Sequence, residues 1–290
     1  MTKFIIHADD IGLSKEITNH ILDSLDNGIV DRTSIIVNGF YSEQAAEELN
    51  KRNMLPFLHL NLSEGSPITK SEEIKNKICK NQSLNISFFS SEIRWLFSSK
   101  KEKEKLYFAL SEEIKKQIEK YKELFPKNHS IKIDGHENIH MSPLIFYILL
   151  ELSGELKISE VRLPREKLRF IFFNFFNVKL WINFIKVFIL NFLAFIYFTK
   201  LRKKNISFEK IFHGVVLSGK MKLKNLKRLF SYYQKNPEES VTILLHPGYS
   251  SEDEENLWNN KKRWKYYNNQ ERLIEYKLAT NPDVKDMMNR

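Results

Sequence analysis

Short apolar runs in this chain end, one after another, in acids and histidines. Phe4-Ile5-Ile6 leads into His7-Ala8-Asp9-Asp10, and Phe57–Leu62 carries His59 and Asn61. Ile131-Lys132-Ile133 runs into Asp134-Gly135-His136, and Ile243-Leu244-Leu245 meets His246-Pro247-Gly248. Runs this short and this apolar read as strands buried on both faces, the mark of a parallel sheet. Between them lie stretches with helical spacing: Ser14 to Asn27, Ser42–Arg52, Lys101–Leu124, Met221–Gln234 and Asn269–Thr280. Ser14 and Ser42 suit N-caps, Gly28 suits a helix end, and Pro143 suits a first turn. Pro282 ends or kinks the last helix.

Seven strands are expected: Lys3–Ala8, Thr33–Val37, Phe57–Leu62, Ile131–Ile133, Glu160–Leu163, Ile211–Val216 and Val241–Leu245. Alternation with helices makes this an α/β chain. The polar groups gather at strand C-terminal ends, where TIM-type barrels build their sites. The expected fold is therefore a deformed TIM-like (β/α) barrel of seven strands, a single domain over residues 1–290. An open doubly wound sheet, which also binds ligands at strand ends, is the alternative. Ser63–Ser99 resists assignment, and no internal repeat or low-complexity linker divides the chain.

At 290 residues and 42% hydrophobic, the chain has enough apolar content for a substantial core. Its net charge of +10 permits contact with nucleic acid or an anionic membrane. Much of that charge is interleaved with glutamate in stretches such as Lys100–Lys122, as on a solvated helix face, and no nucleic-acid partner is expected. Cys79 is the single cysteine, which excludes an internal disulfide and a thiolate metal cluster and fits a reducing, cytoplasmic setting. No basic stretch followed by an apolar run opens the sequence, so no secretory signal is expected.

One segment, at about 170–199, departs from this pattern. Its longest apolar run, Val187–Phe198, is broken only by Asn191 and is too short to span a bilayer. Extending it takes in Lys186, Asn183 and Lys179. It reads as an interfacial helix or apolar cap near the mouth of a site. The plainer reading is a helix pair packed on the barrel or against a second subunit.

An Asp and two His form a minimal three-ligand set for a divalent ion and leave positions free for water and substrate. One of Asp9 and Asp10 can bind the ion while the other serves as a base; alone, the pair is as well read as a loop or helix cap. His59 is a ligand or a core histidine. Asp134 is either the partner that fixes an imidazole tautomer or a strand-end cap. His136 can bind metal while His140 faces substrate. His246 suits a general acid or a simple turn histidine. Arg162 and Arg165 flank Pro164 and can anchor a sugar or form surface ion pairs. Glycine-rich dinucleotide and phosphate loops, a His-Glu-x-x-His helix and a Gly-x-Ser-x-Gly elbow are absent from the sequence.

Taken together, these pieces resemble the YdjC-like (ChbG-type) carbohydrate deacetylase family. The resemblance rests on His7–Ser14, Gly28–Ser34, His59–Gly65, Asp134–His140, Val161–Glu166, His246–Tyr249 and Glu271–Tyr276, in the family's order. It implies a deformed TIM-like barrel, often dimeric, that removes acetyl groups from N-acetylated amino sugars. It implies Asp10, His59 and His136 as ligands of a divalent ion, magnesium first, with zinc or another transition ion as alternatives. Asp9 would be the base or its partner, and His246 the acid or transition-state stabiliser. His140 and Arg162 would line the sugar site. Gly135 and Glu137 depart from the family's third motif, which bears on metal preference or substrate charge. The apolar 170–198 stretch is a further departure and hints at a lipid-linked or membrane-proximal glycan. The competing reading is a catalytically silent metal- and glycan-binding module at a membrane surface.

Overall fold

The computed structural model describes residues 2–167, 169–170, 180–258 and 261–288. In chain order the strands are β1 (Lys3–Ile11), β2 (Arg32–Ile35), β3 (Phe57–Leu60), β4 (Cys79–Lys80), β5 (Ser83–Leu84), β6 (Ile131–Gly135), β7 (Ile158–Val161), β8 (Phe212–His213) and β9 (Ser240–Leu245). Seven of them lie in one parallel sheet, ordered β7-β6-β3-β2-β1-β9-β8. The other two, β4 and β5, form a separate antiparallel hairpin.

The stretch from 207 to 213 curls this sheet. Ser207 bridges Glu160 of β7, while Phe212 and His213 pair with Thr242 and Ile243 of β9. The segment that supplies edge strand β8 thus also reaches the opposite edge, β7, and the seven strands follow one another around a deformed barrel in chain order. Only two residues of the expected strand Ile211–Val216 pair. Gly214 takes φ 123, where a Cβ would meet the Leu244 carbonyl oxygen at 2.6 Å. The N–H groups of Gly214, Val215 and Val216 then turn to the Glu166 carboxylate instead of a neighbouring strand. The fifth sheet strand runs over Ile158–Val161, two residues earlier than expected. Lys157 closes the preceding helix in a left-handed conformation, so the chain is extended at once.

Helices α1 (Lys15–Asp26), α2 (Ser42–Lys51), α3 (Glu72–Ile78), α4 (Phe88–Phe97), α5 (Lys100–Leu124), α6 (Pro143–Leu156) and α7 (Trp181–Lys203) surround the sheet, followed by α8 (Leu223–Lys235), α9 (Lys261–Tyr267), α10 (Gln270–Ala279) and α11 (Pro282–Met288). The Ser14 hydroxyl caps α1 by accepting from Ile17 N. Ser42 lies inside α2, whose N-cap is Tyr41. In the stretch that resisted assignment, Ser71 and Ser87 cap α3 and α4. Pro282 both stops α10 and opens α11. Along α5, Leu106, Leu110, Ile114, Ile118 and Tyr121 repeat at three- and four-residue steps and are all buried. Burying each such side chain contributes about 1.5–3 kcal/mol, which outweighs the weak surface ion pairs of the Lys/Glu face.

The apolar segment becomes α7 from Trp181 onward; residues 171–179 lie outside the described residues. One face of α7 is buried through Phe184, Val187, Leu190, Ala194, Tyr197 and Leu201. Tyr197 stacks on Phe146 of α6.

Candidate active site

Strand alternation puts His7 and Asp9 on one face of β1. Asp10 would point away, but its backbone adopts φ 79 and the pairing of β1 with β2 shifts register between Ala8 and Ile11. A left-handed aspartate at a strand end is strained, and such strain gathers at functional sites. His59 of β3 lies in register with Asp134 of β6. Beyond β6, Glu137 and Asn138 both take left-handed conformations, which folds a tight loop that carries His136.

Asp10, His59 and His136 meet at one point. Their ligand atoms lie within 4.8 Å of one another and all three residues are buried. His136 Nδ1 is 3.0 Å from Asp10 Oδ1, and His59 Nε2 is 3.6 Å from the same oxygen. His59 Nδ1 lies 2.6 Å from Asp134 Oδ1, so the ring donates its Nδ1 proton there and turns its Nε2 lone pair toward Asp10. On the far side, His136 Nε2 faces Glu64 Oε1 at 2.6 Å and the Tyr267 hydroxyl at 2.9 Å. Arg272 Nη2 donates to Asp10 Oδ2 at 2.9 Å. Two imidazoles and a carboxylate, each aimed by a second group, form a donor set that fits a divalent ion.

A second cluster of His7, Asp9 and Asp134 has the same compactness. Arg162 already fills it. The guanidinium donates to both Asp9 oxygens at 2.9 Å and sits 2.6 Å from Asp134 Oδ2. Ser34 joins the network, its hydroxyl donating to Asp134 Oδ2 and lying 2.6 Å from His7 Nε2.

Burial opposes ionisation throughout, and local charge decides where it is overcome. Burial raises Asp10, yet His136 and Arg272 outweigh it and hold the carboxyl well below its usual range. Burial lowers His136, but Glu64 and Asp10 hold it well above. At Asp9 burial wins over Arg162 and the carboxyl stands above its ordinary value. Burial and the nearby Arg272 push His246 down to about 3, so that imidazole rests neutral.

These groups open into a cavity of about 640 Å³. Asp9, Asp10, His59, His136 and His246 all line it, together with Lys186, Lys220 and Arg263. His246 sits beyond β9, its backbone N–H held by Glu275 and its Nε2 3.5 Å from the Ser218 hydroxyl.

The other two expected site residues are not on the cavity wall. Arg162 is 2% exposed and lies beneath Asp9. His140 is fully buried, its Nε2 3.0 Å from the Arg162 carbonyl oxygen. The left-handed loop after β6 turns His140 inward, and Gly135 is required because a Cβ there would meet the His140 ring at 2.8 Å. Both residues therefore support the floor of the site and do not line it. Arg272, Glu275, Glu64 and Tyr267 were not assigned roles from sequence. The first two arrive on α10, and the Arg272–Asp10 bond spans 262 residues, a separation that local spacing does not reveal.

A profile of the YdjC-like protein family matches residues 3–290. The chain belongs to the YdjC-like family. It is 29% identical over 167 residues to the chitooligosaccharide deacetylase of Serratia marcescens, covering 56% of this chain and 60% of that one. It is 25% identical over 171 residues to the carbohydrate deacetylase of Mus musculus, covering 57% and 51%. The chain thus spans between half and three-fifths of the length of these curated relatives. A crystal structure from Enterococcus faecalis V583, described as a cellobiose-phosphate cleavage protein, superposes with a TM-score of 0.67 at 16% identity. It covers 99% of this YdjC-like chain and 94% of its own, and shows that the two share a fold.

Proposed function

We propose that this YdjC-like protein is a metal-dependent amide hydrolase that removes the acetyl group from N-acetylated amino sugars. The observation that carries the reading is the buried Asp10–His59–His136 set, opening into one cavity with Asp9 and His246. The names of the two deacetylase relatives point the same way. Asp10, His59 and His136 would hold the ion. The family resemblance points to magnesium, whereas two imidazole nitrogens and one carboxylate suit zinc or another borderline ion better than an oxygen-seeking one. When bound, such an ion supplies Lewis-acid activation of water and of the acetyl carbonyl.

The chain's own groups move the protons. Asp9 accepts the proton of the attacking water, and burial, which keeps its carboxyl above the ordinary range, makes it the stronger base. Arg162 holds both Asp9 oxygens and so fixes the carboxylate's direction. His246 gives a proton to the leaving nitrogen. Because it rests neutral, His246 relays the proton that Asp9 has taken from water, so that none is gained or lost when the C–N bond breaks. Lys186, Lys220 and Arg263 orient the sugar and whatever it is attached to.

The test is acetate release from a panel of N-acetylated sugars, using metal-stripped and metal-reloaded protein beside His136→Ala. Release that requires metal and is lost in the variant, together with metal affinity weakened more than roughly 100-fold, is expected. A His136→Ala protein with full occupancy and full rate would refute the assignment.

A further inference from the structure

Helix α7 is apolar on both sides. Opposite its buried face, Ile182, Ile185, Phe188, Phe192 and Phe195 are exposed, from 45% to 80%. They repeat at three- and four-residue steps, which makes one continuous stripe. Helix α4 adds Phe89, Ile93, Leu96 and Phe97, from 55% to 86% exposed. The two helices are neighbours: Phe89, Phe188, Ile189 and Phe192 line one open groove between them. Together they expose on the order of 1,000 Å² of apolar side chain, against ~300–600 Å² for the largest patch of an ordinary monomer.

This surface joins the reaction cavity. Phe88, Phe89 and Ile189 line both the groove and the cavity that holds Asp9, Asp10 and His246. Lys186 lies on the same helix but faces the cavity. A molecule with a polar head in the cavity therefore has an apolar track leading out of it past Phe88, Phe89 and Ile189, with Lys186 on the cavity wall.

Charge identifies what covers the surface. Helix α7 has no acidic residue, and its C-terminal end carries Lys200, Arg202 and Lys203, followed by Lys204. The end of α4 leads into exposed Lys100 and Lys101. On α4 the one carboxylate, Glu92, lines the groove but is tied to the Ser142 hydroxyl and Leu144 N. A second copy of the chain would bring cations of the same sign to the contact. An anionic lipid surface neutralises them instead. Trp181, half exposed at the start of α7, suits the level of the headgroups. Helix α7 is long and apolar enough to cross a bilayer, but its buried face and the turn of Lys186 into the cavity suit it to lying along one.

We propose that the apolar faces of α4 and α7, with their flanking cations, dock this protein on an anionic membrane surface and present its cavity to an N-acetylamino sugar carried on a lipid. The substrate half rests on the deacetylase reading; the docking half does not.

The experiment uses the full chain with vesicles of phosphatidylcholine alone or mixed with phosphatidylglycerol. Co-sedimentation with the mixed vesicles is expected, weaker by roughly tenfold in Ile185→Glu/Phe192→Glu/Phe195→Glu. These positions are outside the cavity, so the variant should keep its circular dichroism and its rate on a soluble acetamido sugar. A second variant, Arg202→Glu/Lys203→Glu/Lys204→Glu, should lose the preference for the anionic vesicles. No sedimentation of the wild type would overturn docking, and a dimer in light scattering that the first variant splits would overturn it and assign the face to a second copy. The same acetamido sugar is then supplied with and without a lipid tail. A preference for the tailed form of at least about tenfold in kcat/KM, abolished in the first variant, supports the substrate half, and equal rates overturn it. No acetate release from any substrate, with vesicle binding intact, would sink the deacetylase reading and leave docking standing.

Discussion

Replacing Arg162 by methionine separates a residue that touches substrate from one that holds up the floor. The guanidinium is 2% exposed and is shared by Asp9 and Asp134, which are 5% and 0% exposed. Methionine keeps much of the volume and removes the charge. Two buried carboxylates then face each other across an apolar side chain. Losing one partner of a buried ion network costs about 3–5 kcal/mol, because the remaining charge has no solvent to return to. At ~2.1 cal/mol/K per residue, the unfolding entropy of a chain this long makes that a fall in Tm of about 5–8 °C.

The sign of the pH dependence makes the test sharper. In the wild type burial works against Asp134, but Arg162 and His59 outweigh it and hold the carboxyl below its ordinary range. Its contribution is therefore present above its unfolded pKa and lost as pH falls through the folded value. Without Arg162, Asp9, already above its ordinary value, is pushed further up, and Asp134 loses the largest charge that holds it down. The variant's deficit should then be largest near pH 7 and above, and shrink as the pH falls toward about 4. Urea midpoints of metal-stripped protein at pH 5 and pH 8 measure this. A deficit below about 1 kcal/mol, or one independent of pH, combined with a raised KM and an unchanged kcat, would show that Arg162 contacts substrate and that the buried network is not what it supports.

Two further outcomes follow from the same geometry. Asp134→Asn keeps a hydrogen-bond acceptor for His59 but removes the charge, and should weaken metal affinity by roughly 10–100-fold in competition with a chromophoric chelator; unchanged affinity would break the link between Asp134 and His59. Glu166, pushed by burial up to about 7 against three backbone N–H groups, takes up a proton on folding. Stability should therefore fall by up to about 3 kcal/mol as pH rises from the unfolded value to about 7, and level off above. Glu166→Gln should flatten that slope in the urea midpoint, and an undiminished slope would assign it to another group.

How much of this was legible depended on how far apart the partners lie. The strands could be read because each is a short apolar run, and their polar ends marked Asp9, Asp10, His59, His136 and His246, all of which share one cavity. The register of β3 against β6 then brings His59 beside Asp134 without further instruction. The roles of Arg162 and His140 were not legible. In sequence an arginine beside a proline and a histidine four residues after another both look available. Their burial depends on the left-handed pair Glu137–Asn138 and on the Asp9–Asp134 gap that Arg162 fills, neither of which has a local signature. Arg272 and Glu275 escaped for a related reason: a helix near the end of the chain closes over β1 and β9, and only the closed barrel brings it there. The apolar 170–199 stretch is the converse. Its composition stood out in sequence, but a periodic apolar helix reads the same whether its second face meets protein or lipid. Exposure of Ile182, Ile185, Phe192 and Phe195 shows that no other part of the described chain covers that face, and Phe89 and Ile189 line both the groove and the cavity. If the surface docks on a lipid as proposed, its continuity with the cavity is what would let a sugar carried on that lipid reach Asp9 and His246.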